Sequence, residues 1–295
     1  MKATMATTIQ QGFAQLKANL EITGLQGGTV SSRQTRVRSV IEAGMNVHDS
    51  FLTGSYARHT MIAPLNEADI DIFFVLASSY YHQYSPNGPA GLLDAVRRTL
   101  LKTYTSTPSI SRNGQAVTIR FTDFVVDVVV GFNRQGGGYI IPNSVTSKWL
   151  STDPKRHVEI VSAANKDHGG LLVPIIKMLK AWNKGSGSFF RSFHLEVLAL
   201  TVFDGVTISD FPSGVRFFFD KVRPLIRQGI KDPAGYGDNV GGYLSTQSKI
   251  DEAVTRIQAA LNIALAAEQH NFANRNRAAT EQWQRLFPDY FPAYG

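Results

Sequence analysis

Three aspartates sit inside the two most apolar strand-like runs of this chain, and their placement constrains what it can fold into. The run Ala68-Asp69-Ile70-Asp71-Ile72-Phe73-Phe74-Val75-Leu76 alternates and is rich in Ile, Phe and Val, which predicts a strand. Period-two geometry puts Asp69 and Asp71 on one face and turns Ile70 and Ile72 the other way, into a core. The run Phe124-Val125-Val126-Asp127-Val128-Val129-Val130 reads as a fully buried strand interrupted by Asp127 alone. A lone buried carboxylate costs several kcal/mol unless it is paired or bound to metal. Two explanations compete for Asp127, a divalent cation and a salt bridge to an arginine such as Arg120. For Asp69 and Asp71 the competing explanation is a strand end with two solvated carboxylates. Asp123 lies at a strand start, where solvent suffices to explain it.

The 295 residues permit one large or two modest domains, and a hydrophobic content of 43% supports a sizeable core. Cysteine is absent, which excludes disulfides and thiolate zinc sites. No apolar run approaches the ~20 residues a membrane helix needs, and Met1 to Gln11 lacks the apolar stretch of a secretory signal. A cytoplasmic protein without a membrane partner is the expectation. The net charge of +7, from 30 basic and 23 acidic residues, suits an anionic partner, either nucleic acid or nucleoside triphosphates, or simply a solvated basic surface.

Apolar spacing predicts a helix over Ile9 to Leu20 and a second helix capped by Ser31 or Ser32 with Val37, Val40, Ile41 and Met45 on one face. Tyr80 to Ala90 reads as a loop, Leu92 to Tyr104 as a helix, Ala116 to Phe121 as a strand, and Gly136-Gly137-Gly138 as a turn between strands. Beyond about Pro142 the pattern becomes helical: Leu171 to Asn183, Phe193 to Phe203, Val215 to Arg227 and Ile250 to Ala267. The glycine-rich stretch Asp232 to Gly242 is irregular. The expectation is an α+β lobe of mixed sheet and helices over residues 1–150, a helical lobe over 151–295, and an active site in the cleft between.

Gly54-Ser55 follows a short apolar segment and precedes Tyr56-Ala57-Arg58-His59-Thr60. A small turn entering a helix offers free N–H groups to a phosphate, and the Ser55 hydroxyl adds a donor. Gly-Ser turns are common, so the force of this one comes from Asp69-Ile70-Asp71 following at short range.

Gly54-Ser55, then Asp69-x-Asp71 on a strand, then Asp127 on a later strand, resembles the DNA polymerase β-type nucleotidyltransferase superfamily. The fuller string Gly54-Ser55-Tyr56-Ala57-Arg58-x-Thr60 resembles the bacterial cyclic-oligonucleotide synthases, relatives of animal cyclic GMP-AMP synthase and oligoadenylate synthase. Further segments agree: Trp149-Leu150-Ser151-Thr152-Asp153-Pro154 with His157 looks like the inter-lobe segment, and Leu179-Lys180-Ala181-Trp182-Asn183 like the triphosphate-binding helix. Ser192-Phe193-His194-Leu195-Glu196 looks like the helix start flanking the donor base, and Asp232-Pro233 and Asn239-Val240 recur near the end. The family usually has Tyr where Phe193 stands. The zinc thumb of the animal DNA sensor needs cysteines, so duplex sensing by that device is not carried over.

The resemblance implies a polymerase β-like lobe, two Mg²⁺ ions (or Mn²⁺) on Asp69, Asp71 and Asp127, and attack of a ribose hydroxyl on an α-phosphate with loss of pyrophosphate. Gly54 and Ser55 would orient the triphosphate, Lys180 would contact it with Lys177 assisting, Ser192 would bond a phosphate oxygen and Phe193 would stack on a base. Lys177 and Lys180 lie three apart, on a face other than the stripe Leu172, Ile175, Ile176 and Leu179. The plainer explanations are two solvated surface lysines for Lys177 and Lys180 and core packing for Phe193. Trp182, Glu196, His157 and His194 read as structural. The implied product is a cyclic di- or trinucleotide from ATP, GTP or other triphosphates, activating a separate effector protein in anti-phage signalling, with a regulatory protein as a further partner and no requirement for nucleic acid. Another transferase of the superfamily, adding nucleotides to RNA ends or AMP to a protein, is the alternative.

Overall fold

The computed structural model describes residues 5–105 and 109–295, apart from the side chain of Leu25. The chain forms two compact units. One takes residues 22–159, and the other joins residues 1–21 to residues 160–295. The expected boundary at 150/151 is therefore displaced, and the N-terminal segment changes sides. The reason lies in helix α1 (Ile9–Asn19): Phe13 meets Trp283 and Phe291 edge-on at centroid separations of 4.8 and 5.3 Å, so its apolar face is completed by the C-terminal residues.

The first unit opens with α2 (Gly24–Gly44), which starts at a capping box of Thr23 and Gln26, well before the expected Ser31 or Ser32. Strand β1 (Val47–Thr53), the short α3 (Gly54–Ala57) and strand β2 (Asp69–Leu76) follow. Next come α4 (Ser78–Tyr84) and α5 (Ala90–Leu101). Part of the segment expected to be a loop is thus helical, and the break falls at Gly88, whose φ is +82°. The rest is strand: β3 (Ser109–Asn113), β4 (Ala116–Arg120), β5 (Val125–Asn133), β6 (Tyr139–Asn143) and β7 (Lys148–Thr152). The glycine turn joins β5 to β6 as expected, with positive φ at Gly136, Gly137 and Gly138. The short polar edge strands β3 and β7 carry too weak an alternation to be read from sequence.

Among the described residues the sheet has seven strands, ordered β1-β2-β5-β4-β3, with β6 on β5 and β7 on β6. β2 and β5 run parallel, and the pairs β1–β2, β4–β5 and β3–β4 are antiparallel. One face carries the main core, in which Ile70, Ile72, Val126 and Val128 pack with Val37, Ile41, Leu92 and Val96. Phe73, Val75, Tyr139 and Ile141 form a smaller cluster on the opposite face. The sheet is mixed and the unit α+β, as expected.

α6 (Pro154–Asp167) begins in the first unit and runs into the second. The second unit is helical: α7 (Leu172–Gly185), α8 (Ser192–Phe203), α9 (Phe211–Lys221), α10 (Arg223–Gln228), α11 (Gln247–Phe272) and α12 (Asn276–Leu286). The single helix expected over Val215 to Arg227 is two, parted at Val222. Pro224 has no N–H to continue the ladder, and its ring crowds the turn before it. α7 is buried all round from Pro174 to Asn183 rather than along one stripe. No helix among the described residues is long and apolar enough to cross a membrane.

Candidate active site

The parallel register of β2 and β5 sets Asp71 directly beside Asp127. On the far side of β2, Thr53 opposes Asp71. On the far side of β5, Thr118 opposes Asp127, and Ser111 of β3 opposes Thr118. Paired residues share a sheet face. One polar row therefore crosses five strands, Thr53–Asp71–Asp127–Thr118–Ser111, in a sheet whose other face is apolar. Asp69 stands on the same face two residues earlier on β2, and it reaches solvent. The sheet geometry thus gathers the three sequence-selected aspartates on one face, and Ile70 and Ile72 are fully buried on the other, as period two requires.

Asp127 is less enclosed than the valine run suggested. Val126, Val128 and Val130 are buried, whereas Val125, Asp127 and Val129 are half-buried. The strand alternates after all, because helices cover only one of its faces at this level. The hydrogen-bond partner of Asp127 is the Thr118 hydroxyl, which donates to Oδ1 over 2.5 Å, rather than the Arg120 guanidinium. Arg120 acts instead on Asp69. Crowding by protein raises the Asp69 carboxyl above its ordinary value, the Asp127 charge raises it further, and Arg120 opposes both. Asp123 pairs with Arg33 at 3.1 Å and bonds the Phe124 N–H, so it belongs to the strand start and not to the polar row.

Gly54 explains the turn beside them. Its φ is +65°, and a Cβ there would overlap the Asp71 carboxylate and lie 2.6 Å from Asp71 Cγ. Glycine alone allows this approach. Ser55 is half-buried, and its carbonyl accepts the N–H groups of Thr60 (2.9 Å) and Met61 (3.1 Å), which closes the turn. All the donors in the row are oxygens, and repulsion between Asp69 and Asp127 is the kind a divalent cation relieves, so the residue chemistry fits Mg²⁺ or Mn²⁺. Among the described residues, no three His, Cys, Asp or Glu side chains stand close enough to hold a metal as they are.

The helical unit treats its expected residues differently. Lys180 and Lys177 are not solvated. Lys180 Nζ lies 2.6 Å from Glu196 Oε1, with both side chains at or below 5% exposure. Lys177 Nζ lies 2.7 Å from the half-exposed Glu21. Ser192 is exposed at the first turn of α8, and Phe193 is half-buried. Trp182 packs against Phe190 and Phe219 in the core. His194 is 1% exposed, and its Nδ1 lies 3.0 Å from the Tyr243 hydroxyl. Burial pushes its pKa down to about 4, so it is neutral at physiological pH. Sequence reasoning missed Thr118, Thr53 and the counterion Glu21. A lone hydroxyl in an alternating strand was the available signal for Thr118, but only pairing identifies its partner.

The domain model described as Second Messenger Oligonucleotide or Dinucleotide Synthetase matches residues 7–165, more than half of the chain. A probable cyclic nucleotide synthase of Bacillus cereus (strain VD146) is 25% identical, with 82% of this chain and 81% of that protein covered. The cyclic AMP-AMP-AMP synthase of Acinetobacter sp. (strain ATCC 27244 / 9458) is 29% identical over 60% of this chain and 52% of that protein. Among solved structures, that of CdnC from E. coli MS115-1 with ATP superposes with a TM-score of 0.77 over 96% of this chain and 99% of that one, at 18% identity, a likeness of fold.

Proposed function

The chain belongs to the Second Messenger Oligonucleotide or Dinucleotide Synthetase family, and we propose that the face bearing Asp69, Asp71 and Asp127 is where it joins nucleoside triphosphates into a cyclic di- or trinucleotide. The observation that carries this reading is the in-register pair Asp71 and Asp127, with Gly54 pressed against the first of them. In each round a ribose hydroxyl oxygen forms a bond to an α-phosphorus, the bond from that phosphorus to the pyrophosphate oxygen breaks, and the hydroxyl proton is lost. A final intramolecular round closes the ring.

Asp69, Asp71 and Asp127 would hold two Mg²⁺ ions, or Mn²⁺, which when bound supply charge that lowers the attacking hydroxyl's pKa and stabilises departing pyrophosphate. The chain's own residues orient the reactants. Gly54 keeps the turn's backbone close to the Asp71 carboxylate, and Ser55 presents a hydroxyl to the triphosphate. Lys180, with Lys177, is proposed to contact the triphosphate, Ser192 a phosphate oxygen, and the Phe193 ring a base. The product is proposed to act as a messenger that switches on a separate effector protein in bacterial anti-phage signalling, with a regulatory protein controlling the synthase.

Incubation with the four ribonucleoside triphosphates and Mg²⁺, with no polymer present, tests the reading. The expected result is a phosphatase-resistant small product whose mass reports ring size and bases. Product that forms only when RNA is supplied would overturn it in favour of end addition, and labelled AMP found only on protein would favour AMPylation.

A further inference from the structure

Thr118 is the one member of the polar row whose hydroxyl is bonded to a site carboxylate. It lies on β4 directly opposite Asp127, is 2% exposed, and its Oγ1 is 2.5 Å from Asp127 Oδ1. An ionised carboxylate only accepts, so the threonine hydroxyl donates its proton to this bond. The separation is that of a short, charge-assisted O–H···O⁻ bond. The donor is also stiff. A β-branched side chain on a strand has few χ1 states, and Val117 and Ile119 on either side are fully buried and lock the strand's facing.

The surroundings of the pair add to the case. The neighbouring strand on the other side of β5 supplies Asp71, directly beside Asp127 and on the same sheet face. The hydrogen bond from Thr118 turns the carboxylate toward β4 at Oδ1. Bonds that orient a ligating carboxylate in this way tune its grip on a cation.

We propose that Thr118 is a positioning residue of the synthase site, fixing the orientation of the Asp127 carboxylate so that its second oxygen is presented to a divalent cation. The inference rests on the reading of Asp127 as a metal-binding carboxylate. The competing account is that the hydroxyl merely satisfies itself in the sheet and the residue matters only for shape.

Thr118→Val keeps the shape and removes the donor, and Thr118→Ser keeps the donor and loses a methyl. Mn²⁺ affinity of the free enzyme, followed by electron paramagnetic resonance without nucleotide, gives a readout independent of turnover. The expected result is a loss of about 10–100-fold in Mn²⁺ affinity for Thr118→Val, a similar loss in kcat with KM for triphosphate little changed, and recovery to within a few-fold for Thr118→Ser. Mn²⁺ affinity and kcat for Thr118→Val within twofold of wild type would overturn this inference alone. Equal losses in both variants would also overturn it, in favour of shape. Wild-type enzyme whose Mn²⁺ binding is unaffected by Asp127→Asn would overturn the reading of the site itself.

Discussion

Gly54 lies so close to Asp71 that a Cβ on it would come within 2.6 Å of the carboxylate carbon Cγ, and its φ of +65° places it in the left-handed region. The Gly54-Ser55 turn and the acidic strand are therefore one packed unit. They are tied further by β1 pairing with β2 up to Thr53 and Asp71, one residue before the turn begins.

Gly54→Ala carries two penalties at once. The left-handed backbone costs about 1–2 kcal/mol for a residue with a Cβ, and the Asp71 carboxylate must move. Product formation should fall by two orders of magnitude or more, with a modest loss of stability. Rate measurements and thermal melts on the same sample check this. A variant with wild-type rate would separate the turn from the reaction.

Asp69→Ala combined with Asp71→Ala should abolish synthesis while leaving stability unchanged or higher. The Asp69 carboxyl is held above its ordinary value by crowding and by Asp127, so the folded chain pays to keep it charged, and removing it relieves repulsion along the row. Mass spectrometry of the products and a melting curve decide. Full activity in this double variant would end the assignment of the acidic face.

The buried pair Lys180–Glu196 separates a packing role from a phosphate-binding one. Glu196→Gln alone removes the negative charge 2.6 Å from the enclosed Lys180 ammonium and should cost about 3–5 kcal/mol in urea denaturation. Replacing both, Lys180→Met with Glu196→Leu, should restore much of that stability. If Lys180 also grips the triphosphate, the double variant folds but has a KM raised at least tenfold. A restored fold with wild-type KM would leave Lys180 a core residue only.

His194 should give the stability a pH dependence of known sign. Its pKa is pushed down to about 4 from 6.5 by burial, so the unfolded chain takes up the proton first. Its contribution is full above about 6.5 and is lost as pH falls toward 4, an effect on the order of 3 kcal/mol. Denaturation at steps from pH 4 to 7.5 should show a slope in wild type that flattens in His194→Gln. Equal slopes in the two proteins would show that the imidazole is not what titrates.

What could be read from the residues alone were the properties that repeat along a single segment. Alternation in Asp69–Leu76 put Asp69 and Asp71 on one face and Ile70 and Ile72 on the other, because strand period is a local consequence of backbone geometry. The Gly54-Ser55 turn, the later strand with Asp127, and the α+β-then-helical order were legible for the same reason. Segments with weak periodicity were not: the polar edge strands β3 and β7 and the helix at Tyr80 lack a repeated apolar face.

Tertiary structure decided everything that depends on which segments meet. Asp71 stands beside Asp127, and Thr118 donates to it, because the cores on the two sheet faces lock a single register between strands far apart in sequence. Phe13 carries the first helix into the C-terminal unit because Trp283 and Phe291 cover it. On its own helix Lys180 reads as a triphosphate contact or a solvated cation, and only the fold, by bringing α8 to α7, makes it half of a buried pair with Glu196. Sequence period fixes the direction in which a side chain points, and only the packed fold determines what it meets there.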